Sequence, residues 1–228
     1  MVEWSMDERY ERNIGALTEA EQELLKTKRA AIIGCGGLGC YVAEFLARIG
    51  IGHLTLIDGD AYNTSNINRQ LNSMAINIGK NKAQETMRIL LMVRPDLSLK
   101  AIEVFLDEKN TEELLKGHDV IIDALDNITT RLIAEKAANT LGTPFVHGAV
   151  EQWSAQVCTV FPGDFTLSLL YQTGREFEKP SVLSFTPAFC ASLQASEAVK
   201  VLLHKENVLR KKILAADLKA NSFEIIEL

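Results

Sequence analysis

A cluster of glycines, Gly34-Cys35-Gly36-Gly37-Leu38-Gly39, stands between a short apolar run and an amphipathic one. Glycines at such a turn let the backbone approach phosphate oxygens closely. The start of a following helix then offers unpaired N–H groups to negative charge. Asp58 follows at the interval where a carboxylate takes ribose hydroxyls, so Gly34, Gly36, Gly37, Gly39 and Asp58 together describe a nucleotide site. A nicotinamide dinucleotide would satisfy these residues equally well. Further along come Asn66 and Arg69 in Asn66-Ile67-Asn68-Arg69-Gln70, then Lys82, then Asp126-Asn127. A redox enzyme has no general need for this additional Arg, Lys and Asp. A triphosphate with a magnesium ion does: the cations balance phosphate charge, and a carboxylate holds a metal that prefers oxygen ligands. Any one of these cations alone would read as a solubility residue. The combination points to ATP and Mg²⁺, and the redox reading ranks last.

Positioning these groups requires strands that end at one edge. Thr18-Glu19-Ala20-Glu21 is a capping box and predicts a helix to about Thr27. Arg29 to Ile33 reads as a short strand, and Leu38 to Arg48 as a helix that ends at Gly50. His53 to Asp58 makes a second strand, and residues 80–93 a helix stopped by Pro95. Leu97 to Phe105 alternates as a strand. Asp119 to Ala124 is continuously apolar but for its first residue and Asp123, as befits a buried parallel strand. Asn127 to Leu141 reads as a helix and Pro144 to Val150 as a strand. This alternation predicts an α/β fold, a Rossmann-like doubly wound and mostly parallel sheet. Beyond it lie a strand from Ser154 to Phe161, an irregular stretch over 162–187, and a helix from Pro187 to His204. Two last strands, Lys212 to Asp217 and Ser222 to Leu228, are expected to extend the same sheet in mixed or antiparallel sense. The chain is thus read as one domain over 1–228. It comprises a helical arm (1–28), a nucleotide-binding half (29–150) and a partner-binding half (151–228) that contains the irregular crossover stretch.

Composition narrows the setting. The chain has 228 residues, 47% apolar and 24% charged, with a net charge of −6, so no overall field draws it to nucleic acid or an anionic membrane. The polar, acidic N-terminus does not read as a signal peptide, and no apolar run spans a bilayer, which predicts a cytoplasmic protein. Four cysteines (Cys35, Cys40, Cys158 and Cys190) form no C-x-x-C pair and read as small apolar fillers. Asp60 reads as a solvated turn acid and Asp123 as a structural acid bonded to a neighbouring turn. His53, His118, His147 and His204 are scattered and read as structural or surface residues.

Taken in order, the motifs resemble the ThiF/MoeB/HesA family, bacterial relatives of the ubiquitin-activating enzymes. The resemblance runs through Arg9-Tyr10-Glu11-Arg12, the glycine cluster, Ile57-Asp58-Gly59-Asp60, Ser65-Asn66-Ile67-Asn68-Arg69-Gln70, Gly79-Lys80-Asn81-Lys82 and Asp123-Ala124-Leu125-Asp126-Asn127. It continues in His147-Gly148-Ala149-Val150, Gln156 to Gly163 and Ser192-Leu193-Gln194-Ala195. What it implies is adenylation of the C-terminal carboxylate of a small ubiquitin-like sulfur carrier that ends in Gly-Gly. By position, Asp58 would bind ribose, Asn66, Arg69 and Lys82 the phosphates, and Asp126 magnesium. Arg12 would reach into the site of the partner subunit, which implies a homodimer with composite sites.

Two departures from the family matter. Many members carry two C-x-x-C pairs for a structural zinc, but Phe165 to Gln172 and Leu214 to Leu218 contain no cysteine, so no zinc is expected. Nor is there a cysteine between Cys158 and Cys190 to form a covalent link with the carrier. The expectation is adenylation alone, with sulfur supplied by a separate donor. Two alternatives stay open: activation of a carboxylate on a modified tRNA base, against which the negative charge counts, and a carrier-binding scaffold without catalysis. The carrier and its pathway, whether molybdopterin, thiamine or another, are not written in these residues.

Overall fold

Residues 7–171 and 181–228 are described by a computed structural model. Part of the expected crossover stretch, 172–180, lies outside the described residues. The N-terminal arm begins with a 3₁₀ turn, Glu8–Asn13, and continues into α1 (Glu19–Thr27). The capping box is present: Thr18 Oγ1 accepts from the Glu21 amide at 3.2 Å, and the Glu21 carboxylate accepts from the Thr18 amide at 2.9 Å. Such a cap stabilises a helix start by about 1 kcal/mol.

Strands and helices then alternate: β1 (Arg29–Ile33), α2 (Gly39–Ile49), β2 (His53–Ile57), α3 (Lys82–Val93), β3 (Ser98–Ile102), α4 (Thr111–Leu115), β4 (Val120–Asp123), α5 (Ile128–Leu141) and β5 (Phe145–Glu151). The remainder is β6 (Ser154–Val160), α6 (Thr166–Leu170), α7 (Phe185–Leu202), β7 (Lys212–Asp217) and β8 (Ser222–Glu227). Among the described residues, eight strands form one sheet in the order β3-β2-β1-β4-β5-β6-β7-β8. The pairs among β1 to β5 are parallel, and β5–β6, β6–β7 and β7–β8 are antiparallel. The mixed-sense extension expected from the sequence is therefore present.

The sheet has an apolar layer on each face. On one, Leu46, Leu54, Val146, Ala191 and Leu202 pack the sheet against α2, α3 and α7. On the other, Ile33, Ile121, Ala134, Phe145 and Leu167 pack it against α4, α5 and α6. β4 is buried at every residue, whereas β8 is exposed along nearly all of its length. Among the described residues no helix is long and apolar enough to cross a membrane.

Two short helices were not anticipated. α4 is a single five-residue turn. α6 begins after Phe165, whose φ of 48° is left-handed, and has no side-chain cap of its own. Its amides are satisfied instead by Glu135 of α5: Leu167 N donates at 2.6 Å, and Ser168 donates from its amide at 3.0 Å and its hydroxyl at 2.7 Å. A cap delivered from another helix leaves no local signature in sequence. α7 also starts earlier than expected, at Phe185, because Pro187 occupies its third position, within the first turn, where a missing N–H costs nothing.

Candidate active site

The strand order reverses between β1 and β4, and the crevice opens beyond their carboxyl ends, where ligands of such sheets bind. β1 delivers the glycine loop there and β4 delivers Leu125-Asp126. Gly34 is left-handed (φ 91°), and a Cβ on it would stand 2.6 Å from the Ala124 carbonyl oxygen. A Cβ on Gly39 would meet Gly34 O at 1.8 Å. These two glycines let the turn fold against β4 and against itself. Gly36 and Gly37 differ. Their nearest neighbours beyond an added Cβ are Gln70 Nε2 at 3.5 Å and Pro187 at 3.6 Å, so the protein itself does not forbid side chains there. A side chain on either would instead narrow the cleft.

That cleft, about 2120 Å³, gathers most of the residues singled out from sequence. Gly34, Gly36, Gly37, Asp58, Asn66, Arg69, Lys82 and Asp126 all border it. Gly39 is buried beneath the loop and packs the helix start. Arg12 is exposed and does not border the cleft of its own chain. Its 3₁₀ turn packs on the far end of α2, where Asn13 Nδ2 donates to Ile49 O at 3.4 Å.

The Asp58 carboxylate accepts from Cys35 N at 2.7 Å and from Asp60 N at 2.8 Å, which ties the end of β2 to the glycine loop. Burial pushes its pKa up, opposed by these two amides and by the charge of Lys82. Lys82, the first residue of α3, is buried and donates from Nζ to Asp60 Oδ2 at 2.9 Å. Asp60, expected to be a solvated turn acid, is exposed and yet serves as the counter-ion of this lysine. Asn81 braces the group: its Nδ2 donates to Asp58 O (2.9 Å) and Asp60 O (3.0 Å), while its Oδ1 caps α3 through Gln84 N (3.0 Å). Asn66 is buried and accepts from Asn63 N at 3.0 Å. Arg69 Nη1 donates to Ser65 O (3.0 Å) and Asn68 Oδ1 (2.9 Å), so its guanidinium lies along its own loop, while its aliphatic stem runs past Gly37. Asp126 is exposed on the opposite lip.

Sequence reasoning passed over several cleft residues. Phe105 is exposed and lies over Gly59, where an added Cβ would come within 2.7 Å of its ring. With Val104 and Leu106 it makes an apolar wall next to Asp58. Away from the nucleotide end, the cleft continues over the sheet on Ala149, Glu151, Gln156, Ala215, Asp217 and Glu224. The strand registers place Glu151 opposite Ser154, Ser154 opposite Asp217, and Ala215 opposite Glu224, so these residues share one face. That face is floored by small side chains and rimmed by carboxylates.

The remaining titratable residues behave as structure. The four cysteines are buried and unpaired. Burial pushes Cys40 up to about 11 and Cys158 and Cys190 up to about 12, which makes them poor nucleophiles. His118 bridges Leu115 O (2.9 Å) and Thr55 Oγ1 (2.8 Å). Asp123 accepts from Leu125 N at 3.0 Å, the turn-bonded acid read from sequence, and it also meets His147 Nδ1 at 2.6 Å. Among the described residues no group of three or more His, Cys, Asp or Glu side chains is placed to hold a metal.

Comparison with known proteins agrees with this geometry. The ThiF family model matches residues 10–228. The "SAMP-activating enzyme E1" of Haloferax volcanii is 30% identical over 96% of this chain and 84% of its own length. The "Molybdopterin-synthase adenylyltransferase" of Escherichia coli is 30% identical over 91% and 86%, and the "Sulfur carrier protein adenylyltransferase" of Thermus thermophilus 30% over 97% and 88%. In fold, the chain superposes on the crystal structure of E. coli MccB with ATP at a TM-score of 0.85, with 21% identity over 99% of this chain and 72% of that one. The glycine turn, the strand order and the match across nearly the whole length lead to one conclusion: this chain belongs to the ThiF family.

Proposed function

We propose that the chain is an ATP-dependent adenylyltransferase that activates the C-terminal Gly-Gly carboxylate of a small ubiquitin-like sulfur carrier. The observation that carries this reading is the single cleft bordered by Gly36, Gly37, Asp58, Arg69, Lys82 and Asp126, continuous with a small-residue floor over β5 to β8. Relatives named for adenylyltransferase activity, alike over most of both chains, support it. The nucleotide end takes ATP, with ribose on Asp58 and the base along Val104–Leu106. The floor takes the extended tail of the carrier.

A carboxylate oxygen of the tail attacks the α-phosphorus. The bond from that phosphorus to the bridging oxygen breaks, pyrophosphate departs, and an acyl-adenylate remains. No general base is needed, because a C-terminal carboxyl is already ionised at neutral pH. What the reaction needs is alignment of two anions and neutralisation of the departing charge. Asn66, Arg69 and Lys82 hold the phosphates, and the approach of phosphate exchanges the carboxylate of Asp60 for a better counter-ion to Lys82. The exposed carboxylate of Asp126 and the cations across from it fit a magnesium-triphosphate. Held by Asp126, Mg²⁺ would lend positive charge to the departing pyrophosphate. Arg12, distant from the cleft of its own chain, acts in the site of a partner subunit, making the working unit a homodimer. We place the chain in the cytoplasm, consistent with four unpaired cysteines. Buried thiols support adenylation without a covalent carrier link, with sulfur delivered by a separate donor to a molybdopterin- or thiamine-type pathway.

ATP–pyrophosphate exchange tests this. Exchange is expected only in the presence of a carrier ending in Gly-Gly, and Asp126→Ala should lower it by roughly 100-fold or more without changing the melting temperature. Exchange stimulated by tRNA and indifferent to any carrier would overturn the reading.

A further inference from the structure

A largely buried polar chain, for which adenylation has no direct use, runs from β4 to the cleft wall at Tyr171. Asp123 and His147 are almost completely buried on adjacent parallel strands, with His147 Nδ1 2.6 Å from Asp123 Oδ2. His147 Nε2 is 3.1 Å from the hydroxyl of Tyr171, which directly follows α6. That hydroxyl also receives Arg131 Nη1 at 3.1 Å and Gln156 Nε2 at 3.2 Å. A phenol oxygen has two acceptor positions and one proton. Arg131 and Gln156 fill the acceptor positions, so the Tyr171 proton goes to His147 Nε2. His147 is thereby fixed as the neutral tautomer that donates from Nδ1 to Asp123.

The other ends of this chain converge on one residue. Leu125 N donates to Asp123 Oδ1 at 3.0 Å, and Leu125 O accepts from Arg131 Nη2 at 2.5 Å. The residue before Asp126 is therefore held at both its N–H and its C=O. The residue after it, Asn127, is fixed as the cap of α5 by accepting from Thr130 N at 2.9 Å. On α5, Arg131 and Glu135 are one turn apart. Glu135 grips the first amides of α6 and Arg131 grips the tyrosine just beyond its last turn.

We infer that Tyr171 and His147 are positioning residues for Asp126, closing a buried Asp123–His147–Tyr171–Arg131 chain that clamps the Leu125 peptide from both sides. His147 is buried, while Tyr171 borders the cleft at its far end. Their part is to keep the Asp126 lip from drifting across the cleft, as outer partners of a metal ligand keep it oriented. The inference rests on the reading of Asp126 as the magnesium-holding carboxylate, and its test includes a measurement independent of activity.

Tyr171→Phe removes one oxygen and leaves the ring in place. In this variant, amide hydrogen exchange of the full-length protein should speed up at Leu125 and its neighbours while β1 and β2 stay unchanged. The Mg²⁺ concentration for half-maximal ATP–pyrophosphate exchange should rise about ten-fold. kcat should fall, and the KM for the carrier should move less than two-fold. Unchanged amide exchange at Leu125 together with an unchanged Mg²⁺ requirement would overturn the inference. Should Tyr171→Phe fail to fold, His147→Asn cuts the same chain one link away and is read by the same two measurements. An unmodified protein without carrier-dependent exchange would sink the adenylation reading alone, since the amide comparison needs neither carrier nor ATP.

Discussion

The two halves of the sheet are built on opposite rules. In the parallel half, β4 is buried at every position and its chemistry stands just beyond its end. In the antiparallel half, β8 is exposed along nearly all of its length, and the chemistry lies on the face of the strands. The first arrangement makes a fixed pocket at strand tips, suited to a small polyanion. The second makes an open floor, suited to an extended chain. A reaction between a nucleotide and a protein terminus uses both, and they meet where β4, β5 and α5 adjoin.

The largest effect should come from dividing the site between subunits. Arg12→Ala and Lys82→Ala should each abolish exchange when assayed singly. Mixed in equal amounts and allowed to exchange subunits, they should regain about a quarter of the unmodified rate, because half of the dimers then carry one intact composite site. No recovery would mean that Arg12 serves its own chain, or none.

A second contrast separates glycines that shape the loop from glycines that face the ligand. Gly39→Ala forces a Cβ against Gly34 O and should cost about 3 kcal/mol or more in chemical denaturation. Gly37→Ala has room in the protein and should leave stability within about 0.5 kcal/mol, while raising the KM for ATP about ten-fold. Equal loss of stability in the two variants would erase this distinction.

The smallest effect is one of pH. Burial holds His147 below its usual pKa, offset by its hydrogen bond to Asp123, with Arg131, Glu135 and Tyr171 also facing it. A histidine kept neutral in the fold protonates more readily when unfolded. Its contribution is therefore complete above about pH 6.5 and declines as pH falls below that toward the folded pKa. His118 shifts in the same direction, so the informative quantity is the difference between proteins. Between about pH 7.5 and about 5.5, unmodified protein should lose more denaturation free energy than His147→Asn. Parallel losses would show that His147 does not titrate on unfolding.

How much could be read in advance divides along the same line. β1, α1, α2 and β7 lie within a residue of where periodicity and caps put them, because their signals are local: a capping box for α1, apolar runs for the strands, a terminating glycine for α2. The cleft positions of Gly34, Asp58 and Lys82 were legible for the same reason, since each follows a strand or starts a helix, whereas Asn66 and Arg69 lie within the loop between β2 and α3. Asp60 is exposed as expected, but its pairing with Lys82 was not legible, because Lys82 is brought to it only by the folding back of the 60–82 loop. The chain from Asp123 to Tyr171 was invisible for a stronger reason. Its members come from β4, α5, β5, β6 and the end of α6, and no spacing in sequence brings them together. α6 itself depends on a glutamate from another helix for its cap.

Asn81 links two things that chemistry would otherwise leave independent. One carboxamide grips the carbonyls of Asp58 and Asp60 and also starts the helix that carries Lys82. The interval between Asp58 and Lys82, the residues proposed for the sugar and the phosphates, is thus braced by this side chain together with the bond from Lys82 N to Asp60 O (2.9 Å), and works as a gauge. A nucleotide whose pentose and polyphosphate do not match that interval cannot satisfy both ends at once, so discrimination by length is built into the frame before any base is read.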